Sequence, residues 1–150
     1  MSDTRELILA RLRKIAEGLD DVELAARNDL NPSETQIPAI IILEGDEEPS
    51  QTGLPDGRHR PATAPVPIVM IPEICIVVNE ATATLGSTLN AFRAALIKAV
   101  TSDSELISLL GANGAIAYRG LLSDLGIGRA MLGRMSLKFA ITYVVSPSKL

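Results

Sequence analysis

The stretch that decides the fold is Met135-Ser136-Leu137-Lys138-Phe139-Ala140-Ile141-Thr142-Tyr143-Val144-Val145. Met135, Leu137, Phe139, Ile141, Tyr143 and Val145 fall on one face, while Arg134, Ser136, Lys138, Ala140 and Thr142 fall on the other. Side chains of an extended chain point alternately to its two sides, so a sustained period of two marks a strand with one buried and one wetter face.

Working back from this strand, a Gly-punctuated connection from Gly120 to Gly128 leads into it, preceded by a short strand at Ile116 and Tyr118. Asn113-Gly114 is a turn signal. Ser102 with Glu105 reads as a capping box that opens a short helix ending at Gly111. Leu85, Leu89, Phe92, Leu96 and Ala99 form a stripe at helical spacing. From Val66 to Asn79 the chain reads as a strand, with Pro67 and Pro72 restricting its pairing. Ile37-Pro38-Ala39-Ile40-Ile41-Ile42-Leu43 is apolar on both faces, the pattern of a strand covered on both sides. Val22, Leu24 and Ala26 alternate with Glu23 and Arg27 as a short half-exposed strand. At the start, Asp3 and Glu6 suggest a capping box, and Ile8, Leu12, Ile15 and Leu19 share one face of an amphipathic helix. Gly18 is its expected left-handed terminator.

Grouped strands with helices packed against them define an α+β class. The expected architecture is a mixed, mostly antiparallel sheet of about 4–5 strands, with an N-terminal helix and a central helix pair packed on it. Residues 1–150 are expected to form a single domain, because 150 residues suffice for one self-contained core.

Composition narrows the function. Hydrophobic residues make up 47% of the chain and aromatic residues only 3%, so the core is aliphatic. A net charge of −4 argues against a protein whose main affinity is for nucleic acid, since that affinity comes from Lys and Arg on phosphates. One cysteine, Cys75, excludes an internal disulfide framework, and one Cys with one His is too little for a zinc site. No apolar run is long enough to span a membrane. The charged, helical N-terminus does not read as a secretory signal, which makes the cytoplasm the expected compartment.

The search for chemistry is equally restrictive. Cys75 lies in an apolar strand, where an inert thiol is the expected state. His59 has neither an orienting carboxylate nor a nucleophile assigned to it by the pattern. Gly126-Ile127-Gly128 fails as a dinucleotide fingerprint, because Met131 stands where the third glycine belongs and a strand follows. No catalytic, cofactor-binding or metal-binding residues are therefore assigned, and the expectation is a protein that is not an enzyme.

One segment breaks the pattern of elements. Glu44 to Pro65 contains Pro49, Pro55, Pro61, Pro65 and three glycines. It opens with Glu44, Asp46, Glu47 and Glu48 and later carries Arg58-His59-Arg60. A structureless stretch of this length inside a small domain is usually functional or disordered, so residues 44–65 are expected to project as a long loop.

The order of elements suggests a family. The Ile37-Pro38-Ala39 opening of an apolar strand, a strand ending near Asn79, and a helix over Leu85–Val100 are part of the pattern. So are the Ser102-Asp103-Ser104-Glu105-Leu106 segment and the final Leu137–Tyr143 strand with its Ile141-Thr142-Tyr143 ending. Together they resemble the tail terminator proteins of long-tailed bacteriophages, over nearly the whole chain. The resemblance implies a single tail-terminator-like domain acting as a virion structural protein in tail assembly and head-tail joining. Its members form a hexameric ring on the head-proximal end of the tail tube, stop tube elongation and present the joining surface to the head connector. The implied partners are further copies of the chain, the tail tube protein and the head-tail connector protein. Phage DNA would pass non-specifically through the lumen, and net acidity suits that passage. The implied locations are the virion tail or neck, and the host cytoplasm during assembly. The candidate subunit or tube contacts are Glu44, Asp46, Glu47, Glu48, Arg58, His59 and Arg60. Two alternatives remain: another neck or tail ring protein, or a stand-alone α+β domain that binds a ligand or partner and is stabilised by it.

Overall fold

The computed structural model describes residues 3–29, 31–50, 62–125 and 132–150. Asp3 caps the first helix, α1 (Thr4–Glu17), by accepting the Arg5 backbone N–H at 3.1 Å. Glu6 does not complete the expected capping box; its carboxylate goes instead to Arg27. Gly18 ends the helix with φ −80°, so it closes in the right-handed region, its N–H bonded back to Lys14 and Ile15. Seven strands follow in the order β1 (Leu24–Arg27), β2 (Ala39–Leu43), β3 (Glu47–Pro49), β4 (Val66–Met70) and β5 (Glu73–Asn79), then after two helices β6 (Ala115–Leu125) and β7 (Leu132–Val145). The helices between β5 and β6 are α2 (Thr82–Ser102) and α3 (Ser104–Leu110). Asp103, not Ser102, caps α3, accepting the Leu106 N–H at 2.9 Å; α2 continues through Ser102.

The α+β class and mixed sheet hold, but the described residues form seven strands where about four to five were expected. Two features account for the excess. The predicted Val66–Asn79 strand is divided by Ile71-Pro72, where proline cannot donate to a ladder. And Glu47–Pro49, expected within the projecting loop, instead pairs antiparallel with β4 as a short edge strand. The stretch outside the sheet therefore begins at Ser50, not Glu44. All pairs are antiparallel except β1 with β2.

Strand β7 organises the sheet. Val66 pairs with Val145 and Asn79 with Leu132, so β4 and β5 lie end to end along one edge of β7, in a single register across their break. The Phe139 N–H even reaches the Pro72 carbonyl at 3.2 Å. Strand β6 occupies the other edge. On the neighbouring pair, Leu43 faces Glu73 while Glu47 faces Met70, so the β2–β3 side carries one extra residue, a bulge opposite Ile71-Pro72. Gly45 sits in it with φ +67°, and a Cβ there would lie 2.0 Å from the Ile71 carbonyl oxygen. Both strands thus bend at one place.

All three helices cover one face of the sheet. Ile8, Leu9, Leu12, Ile15 and Ala16 of α1, Leu85, Leu89, Phe92, Leu96 and Val100 of α2, and Leu106 and Leu110 of α3 join Met135, Leu137, Phe139, Ile141 and Tyr143 of β7 in one core. Each large apolar side chain buried this way is worth about 1.5–3 kcal/mol. At Gly133 a Cβ would come within 2.8 Å of Leu85 and 2.9 Å of Leu89, so the missing side chain is what lets α2 seat on β7. Tyr118 packs against Phe139 with ring centroids 5.7 Å apart, and Arg93 of α2 lies 5.3 Å over the Tyr118 ring. Among the described residues the opposite face carries no helix. Ala39, Ile41 and Val77 are nonetheless buried there among Leu24, Leu43, Cys75 and Leu132, which is how β2 comes to be apolar on both sides.

Candidate functional site

The seven residues expected to make contacts separate into three groups. Glu44 and Glu47 are tied into the body of the molecule. Asp46 and Glu48 point to solvent without a side-chain ion pair among the described residues. Arg58, His59 and Arg60 lie outside the described residues.

Glu44 stands where β2 leaves the sheet for the bulge, and Arg27 stands at the end of the parallel neighbour β1. That register brings the Arg27 guanidinium against the Glu44 carboxylate, while its other edge reaches Glu6 on the first turn of α1 at 2.6 and 3.1 Å. Asn28 adds a bond to the second Glu44 oxygen at 3.0 Å. One cation thus joins α1, β1 and the bulge. The pairing with Arg27 holds both the Glu6 and the Glu44 carboxyls below the usual carboxylate range, and it raises the guanidinium above its ordinary value.

Glu47 is held by a second set. The Tyr143 hydroxyl donates to Glu47 Oε2 at 2.6 Å, and Arg5 Nη1 lies 3.5 Å from the same oxygen. Arg5 Nη2 donates in turn to the Glu44 and Gly45 carbonyls at 3.3 and 2.9 Å. Burial, with the Glu47 carboxylate as the next cause, pushes the Tyr143 phenol above its ordinary value, so it remains a donor. The acidic start of the stretch is therefore a clamp between the N-terminus of α1 and the bend of the sheet. Arg5, Arg27 and Tyr143 carry this clamp, and no spacing in the sequence marks them, because their partners meet only through the register of β1 on β2 and β3 on β4.

The bend also fixes where the turn segments leave the molecule. The β3–β4 hairpin opens at the end of β7 marked by Val145, where the Ser50 N–H bonds the Pro67 carbonyl at 2.8 Å. Strands β6 and β7 pair as far as Leu125 and Gly133, toward the opposite end of β7. The fourteen residues of β7 span about 45 Å at strand rise, so residues 51–61 and 126–131 are tethered to opposite ends of the domain. The expected Gly-punctuated connection from Gly120 to Gly128 is instead strand β6 as far as Leu125, and its remainder lies outside the described residues.

Two further features bear on chemistry. Cys75 is half-buried on the helix-free face, lining a depression of about 240 Å³ with Ile41, Leu43 and Val77 below an Asp124 and Arg134 rim. Among the described residues no group of three or more His, Cys, Asp and Glu could hold a metal ion. No helix among them is long and apolar enough to cross a membrane. Compared with known proteins, the chain matches no family model and no curated protein.

Proposed function

We propose that this chain is a structural ring subunit that caps the head-proximal end of a phage tail tube, stops its elongation and offers the joining surface to the head connector. The observation that carries this reading is the two-ended build around β7. A ring subunit must meet one neighbour on each of two sides, and here the β3–β4 and β6–β7 pairs open at opposite ends of one long strand. The helices bury one face of the sheet, so the domain is built as a two-layer wall. The resemblance of the sequence to tail terminators points the same way, and ring subunits of this kind join by head-to-tail contacts that close by rotation. In this reading the protein resides in the tail or neck of the virion, passes through the host cytoplasm during assembly, and meets DNA only as it passes through the ring. The test is to add the purified chain to polymerising tail tube protein and measure tube lengths by electron microscopy. Tubes arrested in proportion to added chain are the expected result; lengths unaffected at saturating chain refute the reading.

A further inference from the structure

A groove of about 600 Å³ opens where the end of α1 meets α2 and the end of β5. Leu19, Phe92 and Ala95 give it an apolar floor, and Asp20, Asp21 and Glu80 stand at its rim. No basic side chain lines it among the described residues. Thr88 donates to Glu80 Oε2 at 2.6 Å, and Asp21 is held in the left-handed region at φ 66°. An apolar floor under carboxylates suits the side chains of Arg and Lys, whose methylene stems pack on apolar surface while their heads seek negative charge.

The sequence has two basic runs that could supply such a segment. The first, Arg11 to Lys14, is engaged within its own subunit: Arg11 bonds Asp103 at 2.7 and 2.8 Å and Glu105 at 3.0 Å, and Arg13 bonds the Ala25 carbonyl at 3.2 Å. The second is Arg58-His59-Arg60. It belongs to residues 51–61, which are tied at both ends and so reach at most about 20 Å from their anchors. The groove lies at the far end of the continuous Val66–Asn79 register, and even a right-angle bend at Ile71-Pro72 leaves the two about 30 Å apart. The segment cannot fill the groove of its own chain.

We infer that the groove receives Arg58-His59-Arg60 of a second copy of the chain. The contact is heterologous, one end of a subunit against the opposite end of the next, so it propagates around a ring instead of pairing two copies. It rests on the ring reading, for which it supplies the joint between neighbours.

A cysteine pair tests it on the full-length chain. Ala95 is exposed in the groove, and His59→Cys with Ala95→Cys, in a Cys75→Ser background, places one thiol on each side of the joint. Mild oxidation is expected to give a ladder of covalent multimers on non-reducing gels. Arg58→Glu with Arg60→Glu should reduce the ladder about tenfold, the effect of losing roughly 1.4 kcal/mol of association. Adding Asp20→Lys and Glu80→Lys should restore it. Should Glu80→Lys disturb folding, Arg60→Glu against Asp20→Lys alone makes the same exchange. No ladder, cross-links only within one chain, or a ladder indifferent to these charges overturns the inference. A charge-dependent ladder from a chain that never arrests tubes keeps the joint and refutes the tail-cap reading, whereas tube arrest without a ladder refutes the joint alone.

Discussion

Tyr143 and Glu47, 96 residues apart in sequence, meet in a hydrogen bond of 2.6 Å that ties the end of β7 to the edge strand β3. Tyr143 is buried, whereas Glu47 keeps partial access to water and has Arg5 beside it. Tyr143→Phe should therefore cost about 1 kcal/mol, the usual net worth of one hydrogen bond, without unfolding the core. Urea denaturation would read this as a lower midpoint at unchanged slope.

Gly45 and Gly86 give predictions of opposite sign. Gly45→Ala forces a side chain into positive φ and against the Ile71 carbonyl, and should cost at least about 2 kcal/mol. Gly86 lies inside α2, where an added Cβ would meet nothing within 4 Å, so Gly86→Ala should stabilise by about 0.5–1 kcal/mol. Thermal unfolding of the two variants beside the parent checks both signs.

Asp103 serves α3 as its cap and Arg11 as its partner. Asp103→Ala removes both and should cost more than the roughly 1 kcal/mol of a cap alone. Asp103→Asn retains a good capping side chain and should cost less. Equal losses in the two variants would show that the ion pair, not the cap, sets the contribution.

Acid should loosen the clamp and the Arg11–Asp103 pair. Glu6, Glu44 and Asp103 are all held below their ordinary values, chiefly by Arg27, Arg27 and Arg11 in turn. In each case the unfolded chain binds the proton more readily, so stability rises with pH across the interval between the two values. The contribution is complete above the ordinary carboxylate range and disappears as pH falls through the lowered folded values. Arg27→Gln should flatten the acid limb of a stability-against-pH curve, and a limb as steep as the parent's would contradict the role given to Arg27.

Much of the fold is readable from residues alone, and for physical reasons. The alternation in β7 and the stripe in α2 are local signals of burial on one face, and Leu137, Phe139, Leu89 and Leu96 occupy the core they indicate. Proline at position 72 is legible as a restriction, although not as a division into two strands that keep one register. Glu47–Pro49 resists reading because a three-residue edge strand of acids and proline has no periodicity, and its pairing is dictated by β4. The clamp is illegible for the same reason: Arg27 reaches Glu6 and Glu44 only because β1 lies parallel to β2.

Removing residues 51–61 and closing Ser50 to Ala62 with a short glycine turn spares β3, β4 and the Tyr143–Glu47 bond. The variant should unfold within about 1 kcal/mol of the parent, since shortening a loop changes closure entropy only slightly. It should no longer join its neighbours or arrest tubes; unaltered tube arrest would show that this segment has no part in assembly.

The most direct measurement of the proposed capping role is electron microscopy of the full chain mixed with tail tubes, with the mass of the isolated chain recorded by sedimentation. The predicted result is a ring of copies seated at one end of each tube, whether the chain alone is a ring or a monomer awaiting its template. Tubes with bare ends at saturating chain would contradict it.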